Sequence, residues 1–176
     1  MPTISDFIKT ATTLPRATFL AANSHWMLIY DPQEVEAGEF SGDGSTTSAR
    51  PRLREAADEV EVVRILRQVV APIKKGDSLL HGPKIALGRS IQCEIQILHP
   101  AMSRVHAFFV EEADGVYVVD GGSRHGTFHK GNRLAAGKPQ RLENGDDLMF
   151  GTIATQVFSP GGFLELVKYA DDLSKR

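Results

Sequence analysis

A single cysteine, Cys93, occurs in the 176 residues, so no internal disulfide can form and no multi-cysteine zinc site can be assembled. That cysteine usage suits a reducing compartment, and a cytoplasmic location is the expectation. Long apolar runs are missing too: none approaches the ~20 residues a membrane helix needs. The opening Met-Pro-Thr-Ile-Ser-Asp-Phe lacks the basic segment and uninterrupted apolar stretch of a secretory signal. Positive charge is not in excess, since 20 Lys and Arg face 22 Asp and Glu for a formal charge of −2. A nucleic-acid polyanion is therefore not the default partner, and neither nucleic acid nor membrane is expected to bind. No G-x-x-x-x-G-K-[ST] loop occurs, so free nucleotides are not the expected ligand, and no cofactor is expected.

What is present is ordinarily globular: 41% hydrophobic and 24% charged residues, enough for one packed core with room for an added segment. Residues 1–35 read as a helix/strand extension. Ile4, Phe7, Ile8 and Ala11 recur at helical spacing behind a Thr3/Asp6 capping box, and Pro15 ends that helix. His25 to Tyr30, bounded by Asn23-Ser24 and Asp31-Pro32, reads as one strand. Residues 36–50, centred on Gly42-Asp43-Gly44-Ser45-Thr46-Thr47-Ser48, have the composition of a flexible linker. Residues 51–68 predict a helix, from the spacing of Leu53, Ala56, Ala57, Val60, Val63 and Leu66.

From residue 69 to 168 short apolar runs alternate with turns every eight to twelve residues, the signature of an all-β sandwich, and 169–176 form a tail. The expected strands are Val69 to Lys74, Lys84 to Leu87, Glu94 to Ile97, Val105 to Val110, Val116 to Asp120, Thr127 to His129, Arg141-Leu142, Asp147 to Phe150, Ile153 to Phe158 and Phe163 to Val167. Asp114-Gly115, Lys130-Gly131-Asn132 and Asn144-Gly145 read as the matching hairpin turns.

Three polar clusters interrupt this pattern where a rigid scaffold could hold loops in solvent: Gly88-Arg89-Ser90, Ser103-Arg104-Val105-His106, and Ser123-Arg124-His125-Gly126-Thr127-Phe128. In this order, with Leu142-Glu143-Asn144-Gly145-Asp146 and Phe150-Gly151 after them, they resemble the forkhead-associated (FHA) family. Its pattern is Gly-Arg, then Ser-x-x-His, then a Ser-x-Asn-Gly-Thr-like motif.

The resemblance implies an FHA-type β-sandwich with a small N-terminal helix/strand extension, whose loops bind a phosphothreonine peptide. Such a module would mediate phosphorylation-dependent protein association in Ser/Thr kinase signalling and perform no catalysis. Arg89 would grip the phosphate, because a planar guanidinium can make two charge-assisted hydrogen bonds to phosphate oxygens. Ser103 would add a hydroxyl donor, and Arg104 and Arg124 further positive charge. Gly88, His106, Gly126 and Thr127 would shape the loops. The departure is His125, where most of the family carries an asparagine that bonds the peptide main chain. A neutral imidazole offers one donor and one acceptor on a larger ring and reproduces only part of that. The implied partner is a Thr-phosphorylated protein or peptide, and the linker's own Thr46 or Thr47 could serve once phosphorylated.

Rival readings meet specific obstacles. Gly121-Gly122-Ser123-Arg124-His125 falls short of a nucleophile elbow, since His125 stands at the final glycine and no helical pattern follows. His99, His106, His125 and His129 show no metal-ligand spacing on a helix, so no metal is expected. The remaining alternative is a degenerate FHA scaffold that docks partners without reading phosphate.

Overall fold

A computed structural model describes residues 1–36, 59–77 and 80–175. The linker at 36–50, with Thr46 and Thr47, and the first half of the helix expected over 51–68 thus fall almost wholly outside the described residues.

The chain opens with α1 (Ile4–Thr13), α2 (Arg16–Ala22), β1 (Trp26–Tyr30) and α3 (Pro32–Glu36). The Thr3 N–H and hydroxyl both donate to the Asp6 carboxylate, at 2.7 and 3.0 Å, securing the start of α1. After α4 (Glu59–Arg67) come β2 (Val69–Ile73), β3 (Ile85–Gly88), β4 (Ile95–Gln96), β5 (Ala107–Glu112) and β6 (Gly115–Asp120). They are followed by β7 (Thr127–His129), β8 (Asn132–Arg133), β9 (Pro139–Arg141), β10 (Asp146–Phe150), β11 (Ile153–Phe158) and α5 (Pro160–Ser174).

The strands form two sheets, in the orders β2-β1-β11-β10-β7-β8 and β4-β3-β5-β6-β9. Alternate side chains of each strand point to opposite faces. Leu28, Tyr30, Ala71, Ile73, Phe150 and Val157 of the first sheet therefore meet Ile85, Leu87, Phe109 and Val118 of the second in one buried core. The intervening Met27, Ile29, Val70 and Phe158 face the other way and bury against Ile4, Phe19, Ile65, Phe163, Leu164 and Val167 of the helices. The result is three layers: helices, sheet, sheet.

That third layer corrects the all-β expectation. The strand expected at Phe163 to Val167 is the first half of α5, whose Ser159 Oγ accepts the Gly162 N–H at 3.3 Å with Pro160 in the first turn. Phe163, Leu164, Val167, Ala170 and Leu173 are buried at helical spacing, a pattern that a five-residue window conceals. The Phe163 ring packs edge-on to Phe7 with centroids 5.0 Å apart. β1 pairs with both β2 and β11, so the N-terminal strand lies inside the first sheet. With both of its faces covered it can be apolar throughout, as Trp-Met-Leu-Ile-Tyr is.

Asn144-Gly145 is likewise not a hairpin turn. β9 pairs with β6 in one sheet and β10 with β7 and β11 in the other, so this dipeptide carries the chain across the sandwich. The Lys130-Gly131 turn does join β7 to β8, with φ of 50° and 81°, the left-handed pair that a tight hairpin requires.

Candidate functional site

The loops after β3, before β5 and between β6 and β7 meet at one end of the sandwich, and backbone contact fixes them there. Gly88 closes β3 against the second loop: a Cβ on it would lie 2.4 Å from the Arg104 carbonyl oxygen and 2.9 Å from that of Ser103. Only glycine permits this approach. The Arg89 N–H then donates to the Ser103 carbonyl and the Ser90 N–H to the Arg104 carbonyl, each at 3.0 Å. Arg89, Ser103 and Arg104 are thereby held side by side.

The second and third loops are joined by side chains. The Arg124 N–H donates to Ser103 Oγ at 3.0 Å, which uses an oxygen lone pair and leaves the hydroxyl proton for another acceptor. His106 is fully buried. Its Nδ1 accepts the Ser103 N–H and its Nε2 meets the Gly126 carbonyl, both at 3.1 Å. That pair of partners requires the neutral ring with its proton on Nε2, and burial pushes the His106 pKa down in keeping with it.

Asp120, at the end of β6, organises the third loop and was not singled out from sequence. Its Oδ1 accepts the N–H of Gly122 at 2.9 Å and of Ser123 at 3.1 Å, and its Oδ2 accepts the hydroxyls of Ser123 at 2.6 Å and Thr127 at 2.7 Å. Burial alone would raise its pKa, but these four donors hold the carboxyl below its usual range. The signal was legible in principle, because an aspartate two residues before a glycine at a strand end is the pattern of an Asx turn. Gly122 at φ 80° and Gly126 at φ 85° take the left-handed conformations that let the loop close.

Arg89, Ser103, Arg104, Arg124 and His125, with Ser90, Gln92 and Pro100, line a cavity of about 600 Å³ at this end. The five positions expected to touch a ligand thus surround one space. Gly88, His106, Gly126 and Thr127 lie beneath it, in the contacts just described. Arg89, Arg104 and Arg124 are all exposed. Glu94, which Arg89 could have paired with, is instead engaged by Lys75 and by the Ala86 N–H at 2.7 Å. Burial would raise its pKa, but those partners hold the carboxyl low.

Ser123 Oγ donates to Asp120 and Ser103 Oγ accepts from Arg124. His106 meets Ser103 only through its main-chain N–H. The arrangement offers clustered cations and the Ser103 hydroxyl proton, the chemistry that holds an oxyanion.

The chain resembles known proteins over part of its length. Residues 85–151 match the sequence model of the FHA domain. The chain is 38% identical over 73 residues to an Arabidopsis thaliana protein, a homolog of the protein phosphatase 1 regulatory inhibitor subunit PPP1R8. The match takes in 40% of this chain and 20% of that relative, so the likeness spans about a fifth of the relative's length. Among solved structures, the FHA domain of the CT664 protein from Chlamydia trachomatis superposes with a TM-score of 0.47 at 14% identity, covering 77% of this chain and 98% of that one. Mycobacterium tuberculosis EmbR, solved in complex with a low-affinity phosphopeptide, superposes with a TM-score of 0.43 at 19% identity, covering 52% and 22%.

Proposed function

We propose that this chain, which carries an FHA domain across residues 85–151, is a non-catalytic module that binds phosphothreonine peptides and so makes protein association depend on phosphorylation. The observation that supports it best is the cavity of about 600 Å³ at the loop end, into which Arg89, Ser103, Arg104 and Arg124 converge. A phosphothreonine carries a charge of about −1.5 to −2 near neutral pH and three strong acceptor oxygens. Arg89 takes two of those oxygens through its fork, the Ser103 hydroxyl donates to the third, and Arg104 and Arg124 supply the remaining positive potential. His125 meets the peptide main chain beside the phosphothreonine. The partner is a substrate of a Ser/Thr kinase, in the cytoplasm.

Phosphothreonine is preferred to phosphoserine in this reading, since burying the extra methyl adds about 0.8 kcal/mol. Thr46 or Thr47, once phosphorylated, competes for the same site. Fluorescence titration with a degenerate phosphothreonine peptide library, with phosphoserine and unphosphorylated controls, tests the proposal. Phosphothreonine should bind most tightly and the unphosphorylated peptides not measurably. Equal binding of phosphorylated and unphosphorylated peptides would instead assign the chain to docking that ignores phosphate.

A further inference from the structure

Arg133 stands just outside the residues that line the cavity, and its setting is unusual. It lies on β8, held by pairing with Phe128 of β7 and by the Leu134 N–H, which donates to the Thr127 carbonyl at 2.8 Å. Its side chain is laid over the third loop: a Cβ built on Gly126 would come within 2.7 Å of Arg133 Nε and 3.2 Å of both Cζ and Nη2. The guanidinium therefore covers the Cα of the residue that follows His125, a residue of the cavity wall.

Charge is distributed unevenly around this point. Elsewhere in this chain of net charge −2 five described lysines and arginines have carboxylate partners and the other described ones do not: Arg16 pairs with Glu165, Arg64 with Asp31, Lys75 with Glu94, Lys130 with Glu143 and Asp146, and Lys175 with Asp171. At the loop end Arg89, Arg104, Arg124 and Arg133 are all exposed, and no described carboxylate pairs with any of them. Asp120, the acid of the third loop, is buried and already receives four hydrogen bonds.

One phosphate dianion neutralises two of the four arginines. The other two remain as a positive surface next to where a bound chain would leave the phosphate, and a charge there is felt over a Debye length of about 8 Å at physiological salt. We infer that the site selects a phosphothreonine peptide bearing a second negative charge, and that Arg133 is a residue that determines this preference. The second charge has one chemistry and two sources, the carboxylate of Asp or Glu or a second phosphate. This inference rests on the proposed phosphothreonine reading and narrows its substrate class.

The test is a set of peptides built on one phosphothreonine with otherwise uncharged flanks, in which Glu or phosphoserine replaces each flanking position in turn. Affinities are measured by calorimetry for the native chain and for Arg133→Gln, Arg133→Lys and Arg89→Ala, each first checked for native thermal unfolding. Glu at one position or more should tighten native binding about fivefold, the upper range of an exposed ion pair, and phosphoserine there should do so by more. The ratio of acidic to neutral peptide should fall towards one in Arg133→Gln, be partly kept in Arg133→Lys, and shrink as salt rises from 50 to 500 mM. A native protein that binds the neutral phosphothreonine peptide through Arg89 but shows no gain from any acidic position overturns the inference and leaves the functional reading standing. So does a gain that persists undiminished in Arg133→Gln. Failure of the native protein to bind any phosphothreonine peptide overturns both, and binding of single-stranded oligonucleotide in competition with the acidic peptide would reassign the surface to a general polyanion.

Discussion

At the residue scale, the loop end is assembled by a few polar groups that meet no ligand, and Asp120 is the clearest of them. Replacing it by Asn removes the charge that receives two amides and two hydroxyls and turns an amide NH₂ towards donors. Bonds to a charged acceptor contribute roughly 1.5–3 kcal/mol each, so Asp120→Asn should lower stability by at least about 2 kcal/mol in urea unfolding and weaken phosphopeptide binding too. A change below about 0.5 kcal/mol would mean the carboxylate is not the organiser of the loop. His125→Asn tests the one position that departs from the family pattern. The amide restores a donor and an acceptor on a small planar group, and it should bind phosphopeptide at least as tightly as the native residue. If His125→Asn and His125→Ala both leave affinity untouched, His125 lies outside the peptide's path.

Much of this was readable from residue types, for a physical reason. Arg89, Ser103, Arg124 and His125 interrupt apolar alternation, and side chains that interrupt it at strand ends have to be presented to solvent or ligand. Asp120 was hidden because it closes an apolar run, Val-Tyr-Val-Val-Asp, and looked like the polar end of a strand. Its place two residues before Gly122 signals an Asx turn, but the convergence of four donors on it is visible only in the fold.

At the scale of elements, the second core differs from what periodicity suggested. α2 went unrecognised because its seven residues carry one buried side chain, Phe19, too few to establish a period. α5 was read as a strand and a tail because Phe163 to Val167 is apolar at almost every position. Both become helices because β1 and β2 present apolar side chains on the outer face of the first sheet, and amphipathic helices are what cover it. The bounds of β7 and β11, by contrast, were legible: β7 spans the expected Thr127 to His129 and β11 the expected Ile153 to Phe158. Residues at left-handed φ, Gly126 before β7 and Lys130-Gly131 after it, delimit β7, whereas β5 and β9 are each displaced by about two residues from the expected runs. Phe163, fully buried between Phe7 and Phe19, is the test of the helical layer. Phe163→Ala should cost about 3–5 kcal/mol in a single cooperative urea transition. Loss of helix signal ahead of the sheets, as a separate step, would show that the layer is not part of the same folding unit.

At the scale of the whole molecule, the titrating groups fix how stability responds to acid. Burial lowers the pKa of His106 and of His99. In the unfolded chain these rings take up protons near pH 6.5, while in the folded protein they resist doing so. Their stabilising contribution is therefore complete above about pH 6.5 and is lost as pH falls towards the folded-state values. Asp120, Asp146 and Glu94 have lowered pKa values, with hydrogen bonds from their partners outweighing burial. Their contribution is complete above the ordinary carboxylate range, about pH 4–4.5, and is lost below it. Melting temperature should accordingly be flat from pH 7 to 8, decline from about pH 6.5 downwards, and steepen below about pH 4.5. His106→Gln should begin from a lower melting temperature and show a shallower decline between pH 6.5 and 5. An unchanged slope in that variant would remove His106 as the origin of the first decline.

The three layers divide the labour: the helices bury the outer face of one sheet, the two sheets lock each other, and the loops at one end are left free to meet a partner. The most direct measurement of that account is calorimetric titration of the native chain and Arg89→Ala with one phosphothreonine peptide and its unphosphorylated twin. Modular contacts near micromolar amount to about 8 kcal/mol, and truncating one partner of a charge-assisted pair costs ~2–5 kcal/mol. The native chain should bind only the phosphorylated peptide, and Arg89→Ala, with unaltered thermal unfolding, should weaken it towards or beyond the millimolar range. Native-like affinity in Arg89→Ala, or equal binding of the two peptides, would contradict the account.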